Sequence, residues 1–447
     1  MIENRETVVL YTTATCNLNC VYCYIDKNKA LVEIDNILDE SFKGDYYEKF
    51  ILEMFPDPNQ LKTLETWGGE PFLRMDRIYN TLERIIPKYP NLAGFFASTN
   101  MAFDQWNEQF FGLMKIFGHF PRRIFNYCLQ VSLDGPEEFT DMTRGNGTTN
   151  KILDNYEKML GLLTEILPPN VNLLIQFKPT LDINTVRMLN SKNAIIEYYM
   201  IFDKLIDRLR KLNRSNISIG EGIPNLACPS LATKEDGIFF ANLCQTTRMI
   251  EKDIGRYLLY YKNITPFSNG AMGDVNLTLK HKNFTCGTGY TTIGFLPNEM
   301  VSSCHNGFVD IVSNYKKFAN ANDGRSTIDA KIFLSEQKHR MIFHKNDYNK
   351  YENQMACFNC EGTSARVATI ATQLVLLAHA GQVLPLYKDD VEAIKAAIFY
   401  QSHTAFCVRD NHATTGSLTM IHNGMLKFLF NGAHQLLEDK NSINWVK

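Results

Sequence analysis

Residues 15–24 read Thr-Cys-Asn-Leu-Asn-Cys-Val-Tyr-Cys-Tyr and put three cysteines, Cys16, Cys20 and Cys23, into one turn-sized loop. The stretch just before, TVVLYTT over Thr7–Thr13, is apolar and β-branched and predicts a buried strand. The cysteines then stand where a strand runs out into a loop, the place at which α/β folds gather their chemistry. Thiols this close in sequence are poorly placed to pair as disulfides. They suit three irons of a single [4Fe–4S] cube, leaving the fourth iron without a protein ligand and open to a cofactor. The competing reading is zinc, which wants four nitrogen or sulfur ligands in a tetrahedron. No fourth His or Cys follows nearby.

The bulk of the chain sets bounds on this reading. Its 447 residues are 45% hydrophobic and 21% charged, an ordinary globular balance with material for two or three modules. A net charge of −2 argues against a broad nucleic-acid surface and against nucleic acid as a partner. The opening MIENRETVV has no apolar signal region, and no stretch is long enough to span a membrane, so the expected setting is cytoplasmic and reducing, with no membrane partner. In such a compartment, 11 cysteines read as metal ligands or buried thiols, not as a disulfide framework.

Outward from the cysteine loop, strand-like and helix-like segments alternate. Strands are expected at 7–13, 63–67, 94–98, 127–132, 172–177 and 217–220. Helices are expected at 46–55, 75–88, 105–117, 150–167 and 194–212, the fourth stopped by Pro168-Pro169. Residues between the cysteine loop and 46 read as a polar stretch. Alternation of this kind gives parallel strands with right-handed crossovers, an α/β fold.

Polar motifs fall at the expected C-terminal ends of those strands. Gly68-Gly69-Glu70-Pro71 follows the second strand; two glycines let backbone approach a ligand closely, and Glu70 offers an acceptor. Ser98-Thr99-Asn100 follows the third. Ser132-Leu133-Asp134-Gly135-Pro136 follows the fourth, with Arg144 beyond, and an Arg can grip a carboxylate with two nitrogens. Taken singly, each is an ordinary turn or cap residue. If Ser132 faces inward, period-two alternation puts Gln130 and Cys128 on the same face, while Gln176 and Lys178 are candidates for it on the fifth strand.

Past residue 224 the alternation stops. Residues 224–285 read as a connector with one helix near 234–254, in which Cys228 and Cys244 are free thiols by default. A second cysteine set follows: Cys286 and Cys304 flank two short strands within 293–301, turning at Pro297-Asn298, and Cys357-Phe-Asn-Cys360 is a CxxC. Four such thiolates would saturate one [4Fe–4S] cluster or one zinc, and spacing alone does not choose. The tail 363–447 reads as helical, near 365–380, 389–401 and 417–437, with Cys407 alone in it and its histidines scattered.

The triad Cys16-x-x-x-Cys20-x-x-Cys23, with aromatic Tyr22 before its last member, resembles the signature of radical S-adenosylmethionine enzymes. That resemblance implies an open, partial (β/α)6 barrel over 1–223, with S-adenosylmethionine chelating the open iron and cleaved to a 5′-deoxyadenosyl radical that takes hydrogen from substrate. It implies that Gly68, Gly69 and Glu70 receive the methionine ammonium, that Ser132 and Arg144 hold the cofactor carboxylate or ribose with Ser98 and Asn100 nearby, and that Tyr22 lies against the adenine. The D-G-P and T-R-G-N-G segments resemble peptide-modifying members, although Thr140-Asp141 stands where the family usually shows His-Asp. In this company, 286–362 resembles the twitch domain, the shortened form of the SPASM domain. By that resemblance Cys286, Cys304, Cys357 and Cys360 hold one auxiliary [4Fe–4S] cluster for electron transfer.

The expected function is hydrogen abstraction from a peptide or protein, leading to oxidation or a cross-link, with flavodoxin or ferredoxin as the reducing partner. Dehydrogenation of a small alcohol or amine and modification of a nucleotide or nucleic acid are the enzymatic alternatives. A structural iron–sulfur or zinc protein is the non-enzymatic one. No catalytic acid or base is singled out.

Overall fold

Strand β1 (Thr7–Thr13) is buried along its length: Val8, Val9, Leu10 and Tyr11 are each 0% exposed. A strand covered on both faces belongs in the interior of a parallel sheet, and β1 is an interior strand of one. The computed structural model describes residues 6–23, 30–219, 225–226, 292–296, 300–302 and 342–344. These fall in two compact units.

The first unit carries the sheet. After β1 come α1 (Ala30–Lys43), α2 (Tyr46–Met54), β2 (Thr63–Gly68), α3 (Tyr79–Ile85), β3 (Gly94–Thr99), α4 (Trp106–Gly118), β4 (Phe125–Val131), α5 (Glu137–Arg144), α6 (Thr148–Ile166) and β5 (Val171–Phe177). The chain goes on through β6 (Thr180–Leu181), α7 (Ile183–Met188), α8 (Lys192–Lys211), β7 (Ile217–Ile219) and β8 (Asn225–Leu226), and then β9 (Thr292–Phe295), β10 (Met300–Ser302) and β11 (Ile342–His344). The sheet order is β11-β10-β9-β1-β2-β3-β4-β5-β7. The seven strands from β9 to β7 run parallel, and β10 and β11 are antiparallel additions. The six strands expected from alternation are present and adjacent in chain order, so the α/β class holds.

In the second unit β6 pairs in parallel with β8. Asp182 caps α7, accepting from the Thr185 backbone N–H and hydroxyl, both at 2.8 Å.

Three local differences from the sequence reading have physical causes. The supposed polar stretch holds α1, whose Ile34, Leu38 and Phe42 recur every four residues and are buried. The helix expected at 75–88 is broken: a tight 3-10 segment, Pro71–Ile78, kinks at Arg74 (φ −141°), α3 follows, and Pro87 sits in a final 3-10 turn. Helix α5 begins directly after Pro136, where the reading had a turn. The two-strand hairpin was expected, as β9 and β10 are, but it continues the main sheet: β9 lies parallel to β1, with Leu10 opposite Phe295.

Helix α4 seals one face of the sheet with aromatic side chains. Trp106 and Phe110 stack 5.0 Å apart, Phe72 meets Trp106 at 5.4 Å, and Phe117 packs on Phe95 at 4.5 Å. Each fully buried Phe here contributes about 1.5–3 kcal/mol of transfer free energy. Residues 234–254, the tail helices, Cys228, Cys244 and Cys407 lie outside the described residues.

Candidate metal and cofactor site

The cysteine loop leaves the C-terminal end of β1. Cys16 and Cys20 are half-buried and Cys23 is exposed. The loop is folded on itself by Cys23 N–H donating to Cys20 C=O at 3.0 Å and Leu18 N–H to Cys16 Sγ at 3.4 Å. It is tied outward by Val21 N–H to the C=O of Thr143, on α5, at 2.9 Å.

The exit of β2 packs directly on the exit of β1. Gly69 N–H donates to Thr13 C=O at 3.0 Å and Glu70 N–H to Thr15 C=O at 2.8 Å. Gly68 has φ +140°, and a Cβ on either glycine would overlap the Thr13 or Thr15 carbonyl. The glycines therefore bring this turn against the backbone that leads to Cys16. The sequence reading had them admit a ligand. Glu70 is buried and braces the next strand: it accepts from Thr99 Oγ1 at 2.7 Å, from the Asn100 N–H at 2.6 Å and from the Phe72 N–H at 3.1 Å. Burial pushes its carboxyl up to about 7, against the opposing pull of these donors and of Arg144.

The exit of β3 turns sharply at Met101, a non-glycine residue at φ +57°. Asn155 holds that turn through the Met101 and Phe103 carbonyls at 2.9 and 2.8 Å. The turn aims Asn100 at the loop: its Nδ2 donates to Asn17 Oδ1 at 2.9 Å and lies 3.6 Å from Cys16 Sγ. Ser98, one residue before Thr99, is half-buried on the opposite face of β3 from it.

The exit of β4 supplies a closed ionic network. Asp134, fully buried, accepts from Arg144 Nε and Nη2, both at 2.8 Å, from Thr143 Oγ1 at 2.7 Å and from Tyr22 Oη at 2.5 Å. Arg144 Nη1 is 3.9 Å from Cys20 Sγ, and the guanidinium stands 5.5 Å over the Tyr22 ring. Burial, together with Asp134 and Cys20, raises the Tyr22 phenol well above its ordinary value, so it stays protonated and donates. Ser132 N–H donates to Thr99 C=O at 2.8 Å, joining the β3 and β4 exits.

Asn100 thus meets Cys16, Arg144 meets Cys20 and Tyr22, Glu70 is attached through Asn100, and the backbones of Gly68, Gly69 and Ser132 tie the strand exits together. Asp134, Asn17 and Thr99 were missed as site residues, although Asp134 and Thr99 stand inside quoted motifs. Arg77 was missed too: buried, it holds the β1 exit by donating to Thr12 C=O at 2.8 Å and Asp35 Oδ1 at 3.0 Å. Among the described residues, no three His, Cys, Asp or Glu side chains converge on one metal ion. The two sulfurs that face side-chain N–H donors fit thiolate ligands of a cluster. Cys286, Cys304, Cys357 and Cys360 lie outside the described residues.

No protein-family model matches the chain. Over 270 residues it is 26% identical to a serine-type anaerobic sulfatase-maturating enzyme of Bacteroides thetaiotaomicron. The chain has a distant homologue there. The match takes in 55% of this chain and 57% of the relative, so the chain spans little more than half the relative's length. Among the described residues, no helix is long and apolar enough to cross a membrane.

Proposed function

We propose that the chain is a radical S-adenosylmethionine enzyme that modifies a peptide or protein. The observation that carries this reading is the cysteine loop itself: it sits at the end of the buried strand β1 and is fastened to the exits of β3 and β4 by Asn100, Asp134 and Arg144. The distant homologue, an anaerobic sulfatase-maturating enzyme and so of a radical S-adenosylmethionine family, supports it. In this reading the sheet is an open (β/α)6 barrel, and 286–362 is a twitch-like domain.

Cys16, Cys20 and Cys23 would hold a [4Fe–4S] cluster. When bound, that cluster and S-adenosylmethionine supply a 5′-deoxyadenosyl radical able to take a hydrogen atom from an unactivated C–H bond. The protein's own part is orientation. Glu70 receives the cofactor ammonium with the acceptor capacity its three internal donors leave. Asp134 takes the Nε hydrogen and one Nη2 hydrogen of Arg144, which leaves the Nη1 hydrogens and one on Nη2 for a cofactor carboxylate, with Ser132 beside it. Tyr22 presents a ring fixed by its hydroxyl, and Ser98 and Asn100 complete the wall. Cys286, Cys304, Cys357 and Cys360 belong to the same reading as ligands of an electron-carrying auxiliary cluster, and a flavodoxin or ferredoxin as the reductant.

The test is 5′-deoxyadenosine release by anaerobically reconstituted, reduced protein given S-adenosylmethionine and, separately, peptide, small-metabolite and nucleic-acid fractions. Release that needs all three cysteines and rises with peptide supports the proposal. Release stimulated only by small metabolites would remove the peptide reading, and none from cluster-loaded protein would remove the enzymatic one.

A further inference from the structure

The face of the sheet opposite α4 carries polar side chains in successive layers. Strand pairing puts Glu65, Phe96 and Cys128 in one layer and Ser98, Gln130 and Gln176 in the next. Gln130 Nε2 reaches Gln176 Oε1 at 3.3 Å and Cys128 Sγ lies 3.9 Å from the same oxygen, so these three share one face. Lys178 N–H donates to Val131 C=O at 2.9 Å, which carries the ladder one step past β5. Two residues beyond Gln176, Lys178 therefore emerges on that same face, level with Ser132 and nearest the cysteine loop.

Lys178 is half-buried, and among the described residues no carboxylate lies within ion-pair distance of it. Burial pulls its ammonium below the ordinary value, with the Cys128 side chain opposing. Burial, with a contribution from Glu65, pushes the Cys128 thiol up to about 11, so it stays neutral beside Lys178. An ammonium partly withdrawn from water, on a face it shares with a thiol and two amides, gains from an anion that meets it. Arg144 cannot serve that anion fully, because Asp134 already holds it.

We propose that Lys178 recognises a carboxylate of the substrate, so that the modified peptide carries an acidic side chain beside the reacting residue. This rests on the peptide reading above. A single ammonium flanked by neutral amides suits a monoanion, whereas a phosphate dianion would want a second cation.

The test uses the full chain, reconstituted anaerobically, with Lys178→Met and Lys178→Arg variants. The probes are three fluorescein-labelled pools of short serine-centred peptides whose flanking positions carry Glu, Gln or Lys. Binding is read by anisotropy with S-adenosylmethionine present, and cofactor binding separately by equilibrium dialysis. The wild type should prefer the Glu pool over the Lys pool by about tenfold or more, Lys178→Met should lose that preference, and Lys178→Arg should keep most of it. Cofactor affinity, iron content and circular dichroism should be unchanged in both. A Glu preference that survives Lys178→Met, or no preference in the wild type, would overturn the proposal. So would a matching loss of cofactor affinity, which would assign Lys178 to the cofactor carboxylate. A Lys178-dependent Glu preference without 5′-deoxyadenosine release would uphold the carboxylate site and sink the enzymatic reading alone.

Discussion

Removing Asp134 should break the candidate site more severely than removing both it and its ionic partner. Asp134 is 0% exposed and accepts from Arg144 twice, from Thr143 and from Tyr22. Arg144 is itself 6% exposed, so Asp134→Ala leaves a guanidinium in a dry setting without its carboxylate. Breaking a buried pair from one side costs about 3–5 kcal/mol. At a urea slope of ~3 kcal/mol per molar, that lowers the midpoint by about 1–2 M. Adding Arg144→Met removes the stranded charge and should recover about 1–3 kcal/mol of the loss. The two units make a single whole-chain free energy ill-defined. A Trp445→Phe background leaves Trp67 and Trp106, both in the sheet unit, as the fluorescent probes. A double variant as unstable as the sum of the singles, or Asp134→Ala within about 1 kcal/mol of the parent, would refute the reasoning.

Further expectations can be checked on the same protein. Glu70 titrates near 7 when folded, well above its ordinary value, so its contribution is full below about pH 4.5 and is lost as pH rises through 7. Cofactor-free wild type should lose about 3 kcal/mol across that window relative to Glu70→Gln, and parallel pH profiles of the two would count against it. Gly69→Ala should destabilise the sheet unit by about 1–3 kcal/mol or prevent it folding, because its Cβ meets the Thr15 carbonyl, and a neutral result in urea melts would deny the close approach. Asn100→Leu removes the N–H facing Cys16 and should lower iron retention in a chelator competition by about 10–100-fold, with unchanged retention as the contrary result.

Much of the sheet was readable because its signals are local. Alternation along Phe125–Val131 set both the strand and the shared face of Cys128 and Gln130. Helix α1 was hidden because its buried stripe is only Ile34, Leu38 and Phe42 among acidic residues, and those acids serve a distant partner, with Asp35 and Asp39 both meeting Arg77. Helix α5 was hidden by Gly135-Pro136, which reads as a turn but starts a helix equally well. The contacts among the site residues were not legible where they join positions far apart in sequence. Tyr22 and Asp134 are separated by 112 positions, and no spacing rule joins them. Gly68 and Gly69 were recognised as positions of close backbone approach, and the structure adds one that sequence does not name, to the Thr13 and Thr15 carbonyls.

The most direct test of the central claim is electron paramagnetic resonance of anaerobically reconstituted, dithionite-reduced protein, with and without S-adenosylmethionine. A reduced [4Fe–4S] signal that shifts when the cofactor is added, and whose shifting part vanishes when Cys16, Cys20 and Cys23 are replaced by Ala, is what the account predicts. A spectrum indifferent to the cofactor, or a zinc-loaded protein without iron, would contradict it.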